Sequence, residues 1–144
     1  MIECKKVFLD TTPLIYFLDE DENFGKMTQD ILADFLQNDA EMLTSAITCT
    51  EYLTYPYRTN NTEKIDVFFE FLTDCEIPIF PISVEVAKKA AEIRARYQYF
   101  KTMDCLQLAV ACIYGCDLFL TNDKQLCQFE EIRCVTVEDI GKIK

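Results

Sequence analysis

"VFLDTTPLIYFLD", Val7 to Asp19, decides how this chain is to be read. It opens with the apolar run Val7–Leu9, which suits a short buried strand. A carboxylate, Asp10, stands at the end of that run. Thr11, Thr12 and Pro13 follow, and the pattern then turns helical. A strand, an acidic turn and a helix in so few residues is how a β–α unit begins. Asp10 has two explanations. It bonds the backbone of the turn before Pro13, a residue that sits well at a first helical position, or it is one member of a site.

Outward from this stretch, short apolar runs alternate with longer segments of helical period. The runs predict strands at Lys6–Leu9, Met42–Ser45, Ile79–Ile82, Leu118–Thr121 and Cys134–Thr136. Between them, Phe24–Gln37 carries Phe24, Met27, Ile31, Leu32 and Phe35 at helical spacing, and Ile65–Leu72, Val84–Tyr97 and Thr102–Tyr114 are helix-like too. This alternation predicts an α/β fold, a central parallel sheet of about five strands with helices on both faces. A length of 144 residues predicts a single domain over 1–144. In such sheets ligands bind outside the carboxyl ends of the strands. Asp10 sits at one such end, and Thr121–Asp123, "TND", at another.

Composition narrows the chemistry. The chain has no His, which excludes a Ser–His–Asp triad, a Cys–His dyad and any His-ligated metal. Its eight Cys are expected to be thiols, because a chain with half its residues apolar can bury a core without staples, and no CxxC pair offers a zinc site. No run of about 20 apolar residues predicts a membrane span, and no secretion signal is visible, so the expected location is the cytoplasm. The 25 Asp and Glu against 14 Lys and Arg give a formal charge of −11. A protein so acidic repels RNA in bulk unless cations or a local basic patch intervene. Acid–base or metal chemistry here rests on carboxylates.

Four carboxylates stand at strand ends or early in helices: Asp10, Glu51, Asp104 and Asp123. Each has a local explanation. Thr48 and Glu51 read as a T-x-x-E capping box. Asp104 complements a helix dipole, with Thr102 as N-cap. Asp123 caps a helix from Lys124. Their common placement at one edge of the sheet favours a shared site. Two carboxylates about 4–5 Å apart repel by roughly 3–4 kcal/mol at an effective dielectric near 20. A cluster of them needs protons or a cation, and oxygen ligands alone select Mg²⁺ or Mn²⁺ over Zn²⁺.

The ordered set "VFLDTTPLIYFLD", "LTSAITCTEYL", "KTMDCLQLAVA" and "LFLTNDKQL" resembles the PIN-domain family, in particular the small VapC toxins, over essentially the whole chain. The resemblance implies a three-layer α/β/α sandwich and an Mg²⁺- or Mn²⁺-dependent endoribonuclease that hydrolyses RNA phosphodiester bonds. It implies catalytic Asp10, Glu51, Asp104 and Asp123, with Asp10, Asp104 and Asp123 as metal ligands and Thr12, Thr121 and Asn122 in support. It also implies a small antitoxin partner and a homodimer. The chain departs from the family at Gln107, where the helix after Asp104 usually reads more apolar, and an amide there falls near the site.

For RNA, five of the 14 basic residues lie between Lys88 and Lys101, interleaved at the end with Tyr97, Tyr99 and Phe100. Arg94, Arg96, Lys101 and Lys124 are the candidate substrate contacts; the competing reading is an ordinary charged helix face. The alternative function is a non-catalytic PIN-like binding or regulatory module. A phosphotransferase using Asp10 as nucleophile would need a second aspartate two residues on, where the chain has Thr12.

Overall fold

The structure is a computed structural model that describes residues 2–143, with side chains to residue 141. Five strands form one sheet: β1 (Lys6–Leu9), β2 (Glu41–Ser45), β3 (Ile79–Phe80), β4 (Leu118–Thr121) and β5 (Arg133–Thr136). Their order is β3-β2-β1-β4-β5, and every neighbouring pair is parallel. The helices are α1 (Thr11–Leu18), α2 (Gly25–Gln37), α3 (Ala46–Arg58), α4 (Thr62–Asp74), α5 (Val84–Arg96), α6 (Thr102–Ile113) and α7 (Val137–Ile143), with a 3-10 turn at Lys124–Gln128.

Alternation along the strands divides the core into two layers. Val7 and Leu9 of β1, Met42 of β2, and Leu118 and Leu120 of β4 face residues of α1, α2, α3, α4 and α7, including Leu14, Ile31, Phe35, Tyr52, Phe68 and Val137. Phe8, Leu43 and Phe119 point the other way, onto Ile93 of α5 and Leu108 of α6. The rings of Phe8 and Phe119 stack at 5.1 Å, joining the two central strands on that face. Such a pair adds about 0.5–1.5 kcal/mol beyond the area it buries. This is the expected α/β/α sandwich, and among the described residues no helix is long and apolar enough to cross a membrane.

Three local expectations change. The third strand ends at Phe80 instead of Ile82, because Pro81 has no N–H to give the ladder. The N-cap of α3 is Ser45, whose Oγ accepts from the Ile47 N–H at 3.1 Å, so Thr48 is not the cap residue of a capping box. At the start of α6 the cap position is Lys101, with no side-chain bond, and Thr102 is already helical.

The order of the strands sets the position of the site. From β1 the chain moves outward to β2 and β3, then crosses back to β4 on the other side of β1 and on to β5. Between β1 and β4 the connections diverge to opposite faces and leave a crevice at the carboxyl ends. Asp10 directly follows β1 and Thr121 ends β4. The Asp10 N–H donates to the Leu120 carbonyl at 2.9 Å, which carries the ladder one residue into that crevice.

Candidate active site

Asp10 is the N-cap of α1, and its Oδ1 accepts from the Thr11 N–H at 2.9 Å. The local reading of this residue was therefore sound, but it is incomplete. The side chain is 7 % exposed, and its Oδ2 accepts from the Thr121 hydroxyl at 2.8 Å, across the switch point from β4. A cap needs neither burial nor a partner 111 residues away.

Glu51 lies in the second turn of α3, where the Thr11 hydroxyl donates to its Oε1 at 2.6 Å. Asp104 is in the first turn of α6, the end whose dipole favours an anion. Asp123 follows β4, with its N–H donating to Thr121 Oγ1 at 3.1 Å and its Oδ1 capping the 3-10 turn through the Gln125 N–H. Thr121 thus serves two of the four acids, giving its proton to Asp10 and accepting from Asp123.

The acids act on one another. Burial chiefly, and then the fields of Asp104 and Glu51, push the Asp10 carboxyl up to about 6, against the hydrogen bonds from Thr121 and Thr11. Burial also raises Asp104, reinforced by Asp123 and Glu51 and opposed by Lys101. Mutual repulsion links all four positions, each pair drawn from different elements of the chain.

The donor set suits a hard divalent cation: oxygen ligands, no imidazole, and anionic charge that among the described residues no ion pair of Asp10 or Asp104 offsets, the nearest cation acting on Asp104 being Lys101. Among the described residues, no three Asp, Glu, Cys or His side chains are closed to the spacing of a coordination sphere.

The supporting residues divide. Thr121 bonds Asp10 directly. Asn122 donates through Nδ2 to the Tyr16 hydroxyl at 2.9 Å and accepts at Oδ1 from the Glu138 N–H at 3.2 Å, so it ties α1 and α7 to the end of β4. Thr12 is half-buried on α1, and the hydroxyl that meets Glu51 belongs to Thr11. Of the basic residues, Lys101 is beside Asp104. Arg94 lines a groove between α5 and α6 with Thr102, Cys105 and Leu106. The field of Arg96 reaches Glu131, and Lys124 pairs with Glu138 at 3.7 Å.

A buried polar network beneath the acids was not foreseen as a unit. Ser45, Thr44, Thr48, Thr11 and Gln107 are all 5 % exposed or less. The Ser45 hydroxyl bonds Gln107 Oε1. Gln107 Nε2 donates to Thr48 Oγ1 at 2.8 Å and, at longer range, to Asp10 Oδ1 at 3.4 Å and Thr11 Oγ1 at 3.5 Å. The one signal in the sequence was an amide inside an otherwise apolar helix.

Comparison with known proteins agrees with the fold. The family profile described as PIN domain matches residues 7–132. No curated protein matches the chain. Among solved structures, VapBC2 from Rickettsia felis, bound to a DNA fragment from its promoter, superposes with a TM-score of 0.73 at 16% identity, covering 91% of this chain and 98% of that one. DNA-bound VapBC from Salmonella typhimurium gives 0.70 at 19% identity, over 92% and 98%. VapC20 from Mycobacterium tuberculosis, a Sarcin-Ricin loop cleaving toxin, gives 0.68 at 15% identity, over 88% and 98%. Identities this low carry the fold and nothing finer.

Proposed function

Because the chain belongs to the PIN domain family, we propose that it is an Mg²⁺- or Mn²⁺-dependent endoribonuclease and the toxin of a toxin–antitoxin pair. The observation that carries this reading is the convergence of the acids at the switch point of the sheet, where Thr121 bonds both Asp10 and Asp123, Thr11 bonds Glu51, and Asp104 opens α6 close enough to raise the Asp10 carboxyl. Four anions from four parts of the sequence are held together against their own repulsion, which a purely structural role does not require.

Asp10, Asp104 and Asp123 would hold the ion, with Glu51 beside them. When bound, the ion supplies charge for the phosphate oxygens and makes its water a stronger acid. The chain's own part is orientation. Thr121 fixes one Asp10 oxygen and Thr11 the other, so the carboxylate cannot turn away. Thr11 also holds Glu51, a carboxylate that would be able to take a proton from an attacking water. Lys101, at the start of the Asp104 helix, and Arg94 in the neighbouring groove offer positive charge to an RNA backbone on the α5–α6 side. Lys124 and Arg96 are drawn toward Glu138 and Glu131 and are weaker candidates.

The antitoxin rests on the neighbours: the Klebsiella pneumoniae neighbour is a toxin–antitoxin complex. An arginine from such a partner could enter the acidic cluster and replace the metal's charge.

The test is cleavage of a mixed RNA pool by wild type, Asp10→Asn and Asp104→Asn, prepared identically, with Mg²⁺ or Mn²⁺ and with EDTA. Cleavage by wild type alone, abolished by EDTA, is expected. Equal cleavage by all three proteins would remove these carboxylates from the chemistry. If wild type neither cleaves nor binds Mn²⁺, the chain is the binding module instead.

A further inference from the structure

Gln107 is a buried amide in a helix whose other inward residues are apolar, and it is 1 % exposed. It touches the ends of β1 and β2 and the first turn of α3. We propose that Gln107 is a positioning residue for the acidic site: its amide sets the direction of the hydroxyl network so that Asp10 and Glu51 are both oriented by neutral donors and keep their charge for a divalent cation. This rests on the reading of the site as a metal site.

The argument is a count of protons. The Thr44 hydroxyl has one proton, and it meets the Leu9 carbonyl at 2.8 Å, an acceptor only. At the 2.8 Å contact between Thr44 and Thr48, the proton therefore comes from Thr48. The Thr11 proton goes to Glu51 at 2.6 Å. Thr11 Oγ1 and Thr48 Oγ1 also lie 3.2 Å apart; with both protons committed neither donates to the other, so both are acceptors and Gln107 Nε2 is the group with protons to give. One of its two N–H groups meets Thr48. The other is shared between Thr11 Oγ1 and Asp10 Oδ1.

The amide could in principle be turned over, which would set a carbonyl oxygen against Asp10. The contacts at both ends oppose this: turned over, the amide oxygen would face the Asp10 carboxylate and two hydroxyls whose protons are committed, and the Ser45 proton would lose the amide oxygen that now accepts it. The result is one ordered path: Ser45 to Gln107, then Gln107 to Thr48, Thr11 and Asp10, then Thr11 to Glu51. Asp10 receives three donors, from Thr11 N, Thr121 and Gln107, and none carries charge. They aim the carboxylate without neutralising it. An outer shell of this kind affects metal affinity through geometry, and losing one member costs about 10- to 100-fold.

The experiment compares wild type, Gln107→Met, Ser45→Gly and Asp10→Asn. Methionine keeps the volume and removes the amide. Glycine is tolerated at an N-cap and removes the hydroxyl that holds the amide in place, together with its cap bond to Ile47 N–H. Mn²⁺ binding is measured without RNA by electron paramagnetic resonance, and thermal unfolding without metal. RNA cleavage is then titrated with Mg²⁺. For Gln107→Met, Mn²⁺ affinity should fall at least about tenfold, and the Mg²⁺ needed for half-maximal cleavage should rise to match. The number of sites should stay unchanged. Ser45→Gly should move both in the same direction, by less.

A purely structural role would lower the unfolding temperature and the fraction of protein that binds, with affinity unmoved; that result overturns the proposal. So does wild-type affinity in Gln107→Met while Asp10→Asn abolishes binding, which leaves the metal site standing. Absence of any Mn²⁺ binding sensitive to Asp10→Asn overturns the proposal together with the reading of the site.

Discussion

Buried and oriented by three neutral donors, the Asp10 carboxyl titrates at about 6 where an ordinary aspartate titrates at 3.8. The folded protein therefore holds this proton more tightly than the unfolded chain. Between these values the folded state binds more protons, so the contribution of Asp10 to stability falls as pH rises through the window and is fully lost above it. About two pKa units correspond to about 3 kcal/mol. Metal-free wild type should thus gain stability from pH 7 toward pH 5, whereas Asp10→Asn should start more stable at pH 7 and lack this component of the pH dependence. Thermal unfolding across that range, with EDTA, checks both; identical profiles for the two proteins would mean that Asp10 is not strained in the fold. At this scale the sequence was partly legible. The acids stood out because they fall where strands end. Thr11, Ser45 and Thr48 did not, because each also reads as a cap or turn residue, and their joint role exists only once Gln107 arrives from α6.

The helices end in one repeated way. After α1, α2, α3, α4 and α6, the residue past the cap takes positive φ: Glu20, Asp39, Asn60, Glu76 and Gly115. In α6, Gly115 N–H meets the Cys112 carbonyl and Cys116 N–H meets that of Ala111, and the other four ends show the same pair of bonds. Only one of the five is glycine. Asn and Asp tolerate this conformation, but glutamate carries a cost of about 1–2 kcal/mol there. Exposed Glu76→Gly should raise the unfolding free energy measured in urea by up to about 1 kcal/mol after glycine's own entropy is subtracted. Gly115→Ala should lower it by about 1 kcal/mol, purely through backbone strain, because a Cβ at Gly115 meets nothing within 4 Å. Opposite signs are required; a loss in both variants would place the cost in contacts and not in φ. The same feature shows why helix ends were hard to read. Glycine after a helix is the usual signal, and here glutamate stands in for it twice. Strand positions were easier, since "VFL" and "LFL" are apolar on both faces as a buried parallel strand must be.

For the whole molecule, a formal charge of −11 opposes any polyanion. Two of the cations already have acidic partners: Lys124, next to Asp123, pairs with Glu138, and Lys89 of α5 pairs with Glu131. Screening should therefore relieve as much repulsion as it removes attraction. KM for single-stranded RNA should stay flat or fall as KCl rises to physiological strength at fixed Mg²⁺. A steep rise would reveal a basic contact surface that outweighs the net charge. The class of fold was legible from alternation alone, but the strand order was not, because a strand buried on both faces looks the same at the centre of a sheet or beside it. The order has a consequence in time. Of the two neighbours of the central strand β1, one, β4, follows it by more than 100 residues, with Leu9 opposite Leu120. On the ribosome, β1 must wait with that edge unpaired until β4 has been made. Thr121, which anchors Asp10, arrives with the same strand. A partly synthesised chain thus holds two or three of the acids but no assembled site, and whatever the finished site does cannot begin before β4 has docked.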